Sequence, residues 1–369
     1  MIRFVDSFGH YSDATSLGLK WGSTGGSFIA SVFGSGGRNN GPYCRISNSS
    51  VWRLLNFTTP QTVWITGWAS LGAASQVLIG ANVYGSPFTT DSSIDSRYYV
   101  EWGITGWTLQ TTPAGSLTIS VTGFYETSGL WQNPATWTSP PFSYQSVPLN
   151  PALWYYFEVK TFVDPAHGNQ ISVEVRVNGV VCLALTAVPG PAAPGSFWPA
   201  LHTIAPSLVS GNDYSDFVVV DDTGTHNTSY LGDVRVVAQL PASDGFHQDW
   251  TPLTAGTHFS EVDSPSPPGD TSYVSSSTPG DMDSYGYPTP PTSSQVFGVQ
   301  VNLWARKSDA GGRSVEALAR LSSTDELSAP QTLSTNYGDF MSIFETDPSG
   351  AAWTTASLTS AEFGVKLSA

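Results

Sequence analysis

Charge is what this chain lacks most. Only 12% of its 369 residues are Asp, Glu, Lys or Arg, about half the usual share. Bases are the scarcer sign, with 14 Lys and Arg against 29 Asp and Glu and a net charge of −15. So few bases argue against binding a nucleic-acid backbone, which needs clustered Lys and Arg. They equally argue against attachment to an anionic membrane face. Cysteine is nearly absent, with Cys44 and Cys182 alone. Two cysteines make neither a disulfide framework nor a zinc-ligand set. Cys182, inside VVCLAL, reads as a small buried hydrophobe, and a bridge to Cys44 stays open. No stretch nears the roughly 20 apolar residues of a membrane span, so membrane insertion is not expected. The opening MIRFVDSFGHYSD has no apolar core behind its first base and does not read as a signal peptide. The expectation is a chain made in a cytoplasm. Helical periodicity is missing too. The best candidate, SVEALARL at 314–321, alternates equally well as a strand.

Gly, Pro, Ser, Thr and aromatics fill the space that charge leaves. That profile belongs to all-β proteins with many short strands and turns. Strand-like runs recur: VWRLLNF (51–57), TVWITGWAS (62–70), SQVLIGANVY (75–84), YYVEWGIT (98–105), SLTISVTGFY (116–125). SDFVVVDDTG leads on to LGDVRVVAQL (231–240), read as a last strand pair. Residues 126–150 and 187–215 read as long loops. After Leu240 the texture turns to Ser, Thr, Pro, Gly and Asp, with GTHFSEVD and TSYVSSS as short strands. VFGVQVNLWARK, RSVEALARL, FMSIFET and AEFGVKLSA then alternate well. Two β-domains are expected, 1–240 and a smaller one at 241–369. No repeat of 20–50 residues stands out, which disfavours a solenoid or propeller.

The clearest stretch is YYFEVKTFVDPAHGNQISVEVRVNGVV at 155–181. Tyr155, Phe157 and Val159 share one face, then Ile171, Val173, Val175 and Val177, while Glu158, Lys160, Ser172, Glu174 and Arg176 oppose them. This predicts two antiparallel strands with one buried and one wet face. Asp164 to Asn169 supply turn chemistry. Asn178-Gly179 is a strong hairpin signal, because both residues tolerate positive φ.

Extended by its preceding Trp, this stretch resembles the concanavalin A-like, laminin-G-like jelly roll, with its strand, turn and strand ending in Val-Asn-Gly. RFVDSFGHYS resembles that family's opening strand and DFVVVDDTGTHNTSYLGDVRVV its closing strands. The resemblance covers residues 1–240 and implies fold rather than function. A second resemblance spans most of the chain. DSFGHYS, VDDTGTHNTSYLGDVRV, GDTSYVSSSTPGDMDSY and FETDPSGAAWTTASLTSAEFGVKLSA together look like virion proteins of tailed bacteriophages, where a lectin-like sandwich precedes a smaller β-sandwich ending in EFGVK. The implied fold is all-β, a concanavalin A-like jelly-roll sandwich plus a smaller C-terminal β-sandwich.

Glycosidases need two carboxyls about 5–5.5 Å apart with one protonated when they retain configuration. Glu261-Val262-Asp263 begins such a pattern, but Pro265 stands where the next acid belongs. Glu345-Thr346-Asp347 begins it too, and Ser349-Gly350 follow. His10, His167, His202, His226, His247 and His258 form no HExxH motif. His247 and His258 could converge with Asp249, against a solvated-loop alternative. GSGGRNNG misses the dinucleotide fingerprint, and no G-x-S-x-G elbow occurs. No metal site or cofactor is assigned. The acids Asp213, Asp216 and Asp222 are weak Ca²⁺ candidates, against turn capping. Sequons at Asn48, Asn56 and Asn227 would be unmodified in a phage protein.

The stretch GLWQNPATWTSPPFSY (129–144) offers Trp131, Trp137, Phe142 and Tyr144 as ligand- or subunit-contact candidates, since aromatics on loops stack on sugars and anchor interfaces. Three readings follow, in order. The first is a non-enzymatic virion component of tail, fibre or capsid decoration, whose partners are other virion proteins and further copies of itself, a trimer among them. The second is a carbohydrate-binding module contacting a host surface glycan at a phage tail. The third is a glycan hydrolase.

Overall fold

The computed structural model describes residues 1–11, 14–23, 32–38, 41–46, 50–53, 55–56, 62–70, 77–84, 104–111, 117–127, 130–138, 153–164, 170–188, 203–209, 212–293 and 295–368. The chain divides into two compact units. The first is Met1, Asp6–Gly9 and Trp21–Val236, and the second is Ile2–Val5, His10–Lys20 and Val237–Ala369.

The first unit is built on two antiparallel sheets. One contains, in spatial order, Val180–Val188, Gln170–Val177, Trp154–Asp164, Val63–Ser70, Asp213–Asp221, Pro42–Arg45 and Val32–Ser35. The other runs Leu130–Thr138, Leu117–Thr127, Ile104–Thr111, Val77–Tyr84, Thr203–Val209, Ser50–Trp52 and Gly22–Ser23, with Leu55–Asn56 also on Thr203–Val209. The chain leaves the first sheet after Ser70, lays down four consecutive strands of the second, and returns at Trp154. Such crossing between sheets is the connectivity of a jelly-roll sandwich, the fold class the sequence implied.

The 155–181 reading holds at the level of strands. Trp154–Asp164 and Gln170–Val177 pair with Phe157 opposite Val177 and Val159 opposite Val175. Tyr155, Phe157, Val159, Val173, Val175 and Val177 are buried, each fully buried aliphatic contributing about 1.5–3 kcal/mol. Asn178 and Gly179 take φ of 48° and 79°, as a tight hairpin requires. Asn178 also accepts the Tyr156 N–H on its Oδ1 (3.0 Å) and donates its own N–H to the Tyr156 carbonyl (2.8 Å). The turn thereby fastens the neighbouring strand as well. The intervening turn at 165–169 lies outside the described residues.

The opposite face is only partly the wet one expected: Lys160, Ser172, Glu174 and Arg176 are half-buried. Glu158 is only 2% exposed, and Trp64 and Tyr156 beside it are buried. The cover is the segment 222–236, and this corrects a second expectation. SDFVVVDDTG and LGDVRVVAQL were read as a last strand pair; the first begins within strand Asp213–Asp221, yet 231–240 contains no strand. Gly232 sits at φ 81°, which breaks an extended run. Amides of this strap bond to carboxylates of the sheet instead of to a ladder. Gly232 N–H donates to Glu158 Oε1 (3.1 Å), and Val236 N–H donates to Asp216 Oδ1 (2.8 Å).

The second unit is a smaller sandwich. Ser243–Gln248, Met282–Gly286, Ala361–Leu367, Ser314–Leu321 and Thr324–Leu327 form one sheet, with Gln331–Thr332 also on Ser314–Leu321. Val299–Ala305 and Gly338–Phe344 form a two-stranded ribbon. Val301 and Phe344 from the ribbon pack with Ala317, Ala319 and Phe363 from the sheet, and Trp353 closes the core. Buried Trp353 donates its Nε1–H to the Phe344 carbonyl (3.0 Å), as a buried indole should. Ile2–Val5 falls in this unit, where Ile2 N–H donates to Glu345 Oε1 (2.7 Å) and Val5 N–H donates to Gln300 Oε1 (2.8 Å).

SVEALARL is a strand. Two short helices, Ala14–Lys20 and Thr355–Ser360, escaped the sequence reading because they are too short to show a 3.6-residue period. The latter starts at a capping box, Thr354 with Ser357. GTHFSEVD, expected as a strand, instead holds a 3-10 turn at Phe259–Glu261.

Candidate functional site

Trp131 and Trp137 do not lie on a loop. Leu130–Thr138 is a strand at the edge of its sheet, with Trp131 opposite Glu126 and Trp137 opposite Val121. Those partners are five positions apart on Leu117–Thr127, an odd offset that gives the two Trp register positions of opposite parity. Pro134 had suggested a loop. It falls where the register shifts, between Gln132 and Ala135, facing the Gly123/Tyr125 irregularity. An edge bulge is where a strand tolerates proline, since no ladder donor is lost. Phe142 and Tyr144 lie outside the described residues.

The calcium candidates are not gathered into one site. Among the described residues, no group of three or more His, Cys, Asp or Glu could hold a metal ion. Each of the three acids has a structural partner. Asp213 takes a two-pronged contact from Arg45, Nε to Oδ1 (2.6 Å) and Nη2 to Oδ2 (2.8 Å). Asp222 accepts the Thr62 N–H (2.9 Å). Asp216 is buried at a left-handed φ of 52° and accepts the Val236 amide. Burial raises its carboxyl above the ordinary range, while the Val236 N–H and Arg38 pull against that shift.

Two of the carboxylates weighed for hydrolysis, Glu261 and Asp347, are loop fasteners. Glu261 accepts the Thr254 N–H (2.8 Å) on Oε1 and the Ser272 hydroxyl (2.5 Å) on Oε2. Asp347 Oδ1 accepts from the Ser349 hydroxyl (2.5 Å) and from the Ser349 and Ala351 amides. Hydrogen bonds from Ser272 and Ser349 hold the two acids below the usual carboxylate range. That is the direction opposite to a general acid. Cys44 and Cys182 are buried and not joined by a disulfide, and burial pushes the Cys182 thiol up.

His247 and His258 do not meet over Asp249. His258 Nδ1 lies 2.9 Å from Oδ1 of buried Asp283, which also accepts the Tyr285 hydroxyl (2.7 Å). Burial raises the Asp283 carboxyl, and the two hydrogen bonds oppose that rise. His247 Nε2 lies 3.0 Å from Asp325 Oδ2.

A dense polar and aromatic constellation among the described residues of the first unit was missed by sequence. Arg38 stacks over Trp68 with its guanidinium carbon 4.0 Å from the ring centre. It donates to Asp233 Oδ2 (2.6 Å) and to the Val234 carbonyl (3.0 Å), and approaches Asp216 (3.7 Å). Tyr230 lies under the Arg176 guanidinium (3.6 Å), edge-on to Trp64, and donates its hydroxyl to Glu174 (2.9 Å). These groups fasten the strap to the sheet. Only the even-numbered alternation of Trp64, Thr66 and Trp68 hinted that this face bears polar and aromatic groups.

No protein-family model matches the chain, and no curated protein matches it. Similar solved structures include a carbohydrate esterase from Shiga toxin-encoding bacteriophage phi24B, at 11% identity and a TM-score of 0.32, over 59% of this chain and 99% of that one. A legume lectin-like domain from Entamoeba histolytica shares 11% identity at a TM-score of 0.30, over 55% of this chain and 87% of that one. A galectin-like fold from Bacillus subtilis shares 14% identity at 0.32, over 59% and 94%.

Proposed function

We propose that this chain is a non-enzymatic structural component of a bacteriophage virion, a tail, fibre or capsid-decoration protein. It is made in the host cytoplasm and assembles through the surfaces of its sandwiches. Beyond the sequence resemblances, one feature supports the reading: its buried carboxylates hold the chain's own backbone and ring donors. Asp6 accepts the Phe8 amide (2.8 Å) and the Trp21 indole N–H (2.8 Å). Glu158, Asp216 and Glu261 likewise each take a backbone amide. Such pinning suits a protein that must keep its shape inside an assembly. Its partners would be other virion proteins and further copies of itself, a trimer among the arrangements that fit, and the role needs no cofactor. Quantitative mass spectrometry of purified particles tests this. The chain should co-purify at a fixed ratio to the major capsid or tail protein, and loss on gradient purification would contradict it.

The second reading is a carbohydrate-binding, receptor-recognition module at a phage tail. Trp131 and Trp137 on an edge strand favour it, as does an exposed aromatic of the second unit described next. Glycan hydrolysis is the least supported, because Glu261 and Asp347 are already engaged in loop hydrogen bonds.

A further inference from the structure

Phe246 is 68% exposed, more than any other large hydrophobic residue among those described. A single exposed apolar side chain is ordinary. What sets this one apart is how firmly it is held. Ser243–Gln248 is the outer strand of the second unit's sheet, and its register breaks between Asp244 and Gln248, opposite Tyr285 and Asp283. Three residues, Gly245 to His247, therefore span one partner position and bulge outward. The bulge is pinned from below. Phe246 N–H donates to Glu362 Oε2 (2.8 Å), His247 N–H donates to Ser284 Oγ (3.0 Å), and Ser284 Oγ donates to the same Glu362 oxygen (2.7 Å). Gly245 permits this approach, since a Cβ there would stand 2.5 Å from Glu362 Oε2.

The ring is pinned as well. The Arg320 guanidinium carbon lies 4.0 Å from the Phe246 centroid, so one face rests on a cation while the ring stays largely open to solvent. Arg320 is itself held by Asp325 (2.6 Å), and Asp325 is held by His247 (3.0 Å). The His247 ring stands edge-on to Phe246 at 5.0 Å and 89°. The exposed aromatic plate thus rests on Arg320 and against His247, with Asp325 joining those two groups and Glu362 holding the Phe246 backbone amide.

We propose that this plate is a binding site for a pyranose unit, with Phe246 stacked on the apolar C–H face of the sugar and the part-exposed His247–Asp325 pair beside it meeting its hydroxyls. A pyranose presents that combination of an apolar face and a hydroxylated rim. The Asp325 carboxylate keeps spare acceptor sites after its two bonds, and His247 has a second ring nitrogen to offer. A protein partner would call for a centre depleted of charge. A nucleic-acid strand would meet two carboxylates on a chain of net charge −15. The proposal deepens the carbohydrate-binding reading and rests on it.

The test uses the full chain and a panel of methyl α- and β-pyranosides of glucose, galactose, mannose, rhamnose and N-acetylglucosamine, observed by saturation-transfer difference NMR. At least one glycoside should bind wild type, with the strongest transfer on ring C–H protons. Phe246→Ala should weaken that binding by about tenfold or more, and Phe246→Trp should keep it. Phe246 contributes little burial, so an unchanged melting temperature certifies the variant. If no glycoside binds wild type, this proposal and the carbohydrate reading fall together. If Phe246→Ala binds as well as wild type, this site is overturned. Loss on Trp131→Ala or Trp137→Ala instead would then keep the carbohydrate reading and move it to the first unit.

Discussion

Replacing Arg38 by Ala should open the strap over the first sheet without unfolding the sandwich. The change removes stacking on Trp68, the bonds to Asp233 and the Val234 carbonyl, and the nearest cation to Asp216. The Asp233 contact is exposed and is worth about 0.2–1 kcal/mol. The carbonyl bond adds about 1 kcal/mol and the stacking about 0.5–2 kcal/mol. Asp216 keeps the Val236 amide and the Ser215 hydroxyl, so its loss stays below the 3–5 kcal/mol of an abandoned buried charge. The sum is about 2–4 kcal/mol, or roughly 30- to 1,000-fold in the opening equilibrium. Hydrogen exchange at the Gly232 and Val236 amides reads it, corrected for intrinsic rates. The pH dependence has a definite sign. Burial raises the folded Asp216 carboxyl, so this group binds protons more readily in the closed state than in the open one. Its contribution is best below about pH 4 and declines as pH rises through the raised value. Without Arg38 that value rises further, so the variant should lose more protection at pH 7 than at pH 4. Unchanged exchange at Gly232 and Val236 at pH 7, or a larger loss at pH 4, would refute the assignment of Arg38 as the strap's clasp.

Other outcomes follow from single positions. Gly364 pairs with Ser284, and a Cβ there would run into the Asp283 carbonyl; Gly364→Ala should cost the second unit about 3 kcal/mol or more in urea unfolding, and a cost under 1 kcal/mol would contradict the close approach. Glu261 is held below its ordinary value by Ser272 and Thr254, so its stabilisation is present above about pH 4 and is lost as pH falls through the depressed value. The melting temperature of Glu261→Gln should therefore trail wild type at pH 7 and converge with it at low pH; an equal gap at both would speak against the charged acceptor. Gly179 at φ 79° with no neighbour within 4 Å makes Gly179→Ala a purely backbone cost of about 1 kcal/mol, measurable by thermal unfolding.

Strands such as Val63–Ser70, Trp154–Asp164, Gln170–Val177 and Ala361–Leu367 were legible because period-2 alternation survives in sequence when one face is buried, whereas Leu130–Thr138 and Thr203–Val209 are strands in stretches read as loops. Asn178-Gly179 announced its turn for the same local reason. What failed depended on residues far away in the chain. LGDVRVVAQL alternates like a strand, yet its amides bond to Glu158 and Asp216, and no local pattern reveals side-chain acceptors supplied by other strands. Those bonds in turn bury Glu158, which alternation had assigned to water. Pro134 was read as a loop marker although an edge bulge accepts it. Glu261-Val262-Asp263 and Glu345-Thr346-Asp347 each began an acidic pattern that broke off in sequence, and only the tertiary fold shows that Ser272 and Ser349 engage Glu261 and Asp347. Phe246 lay in Gly-Phe-His-Gln, too short for any period, and its setting comes from Arg320 and Glu362 on other strands.

Cryo-electron microscopy of phage particles purified from cells that make this chain bears on the proposed virion role before any other measurement. The assignment predicts density for both sandwiches on the capsid, tail tube or tail tip at a copy number set by particle symmetry. A tail-tip position with Leu130–Thr138 or Phe246 facing outward would join the structural role to glycan recognition. A particle with no such density would contradict the virion role and leave a free carbohydrate-binding protein in its place.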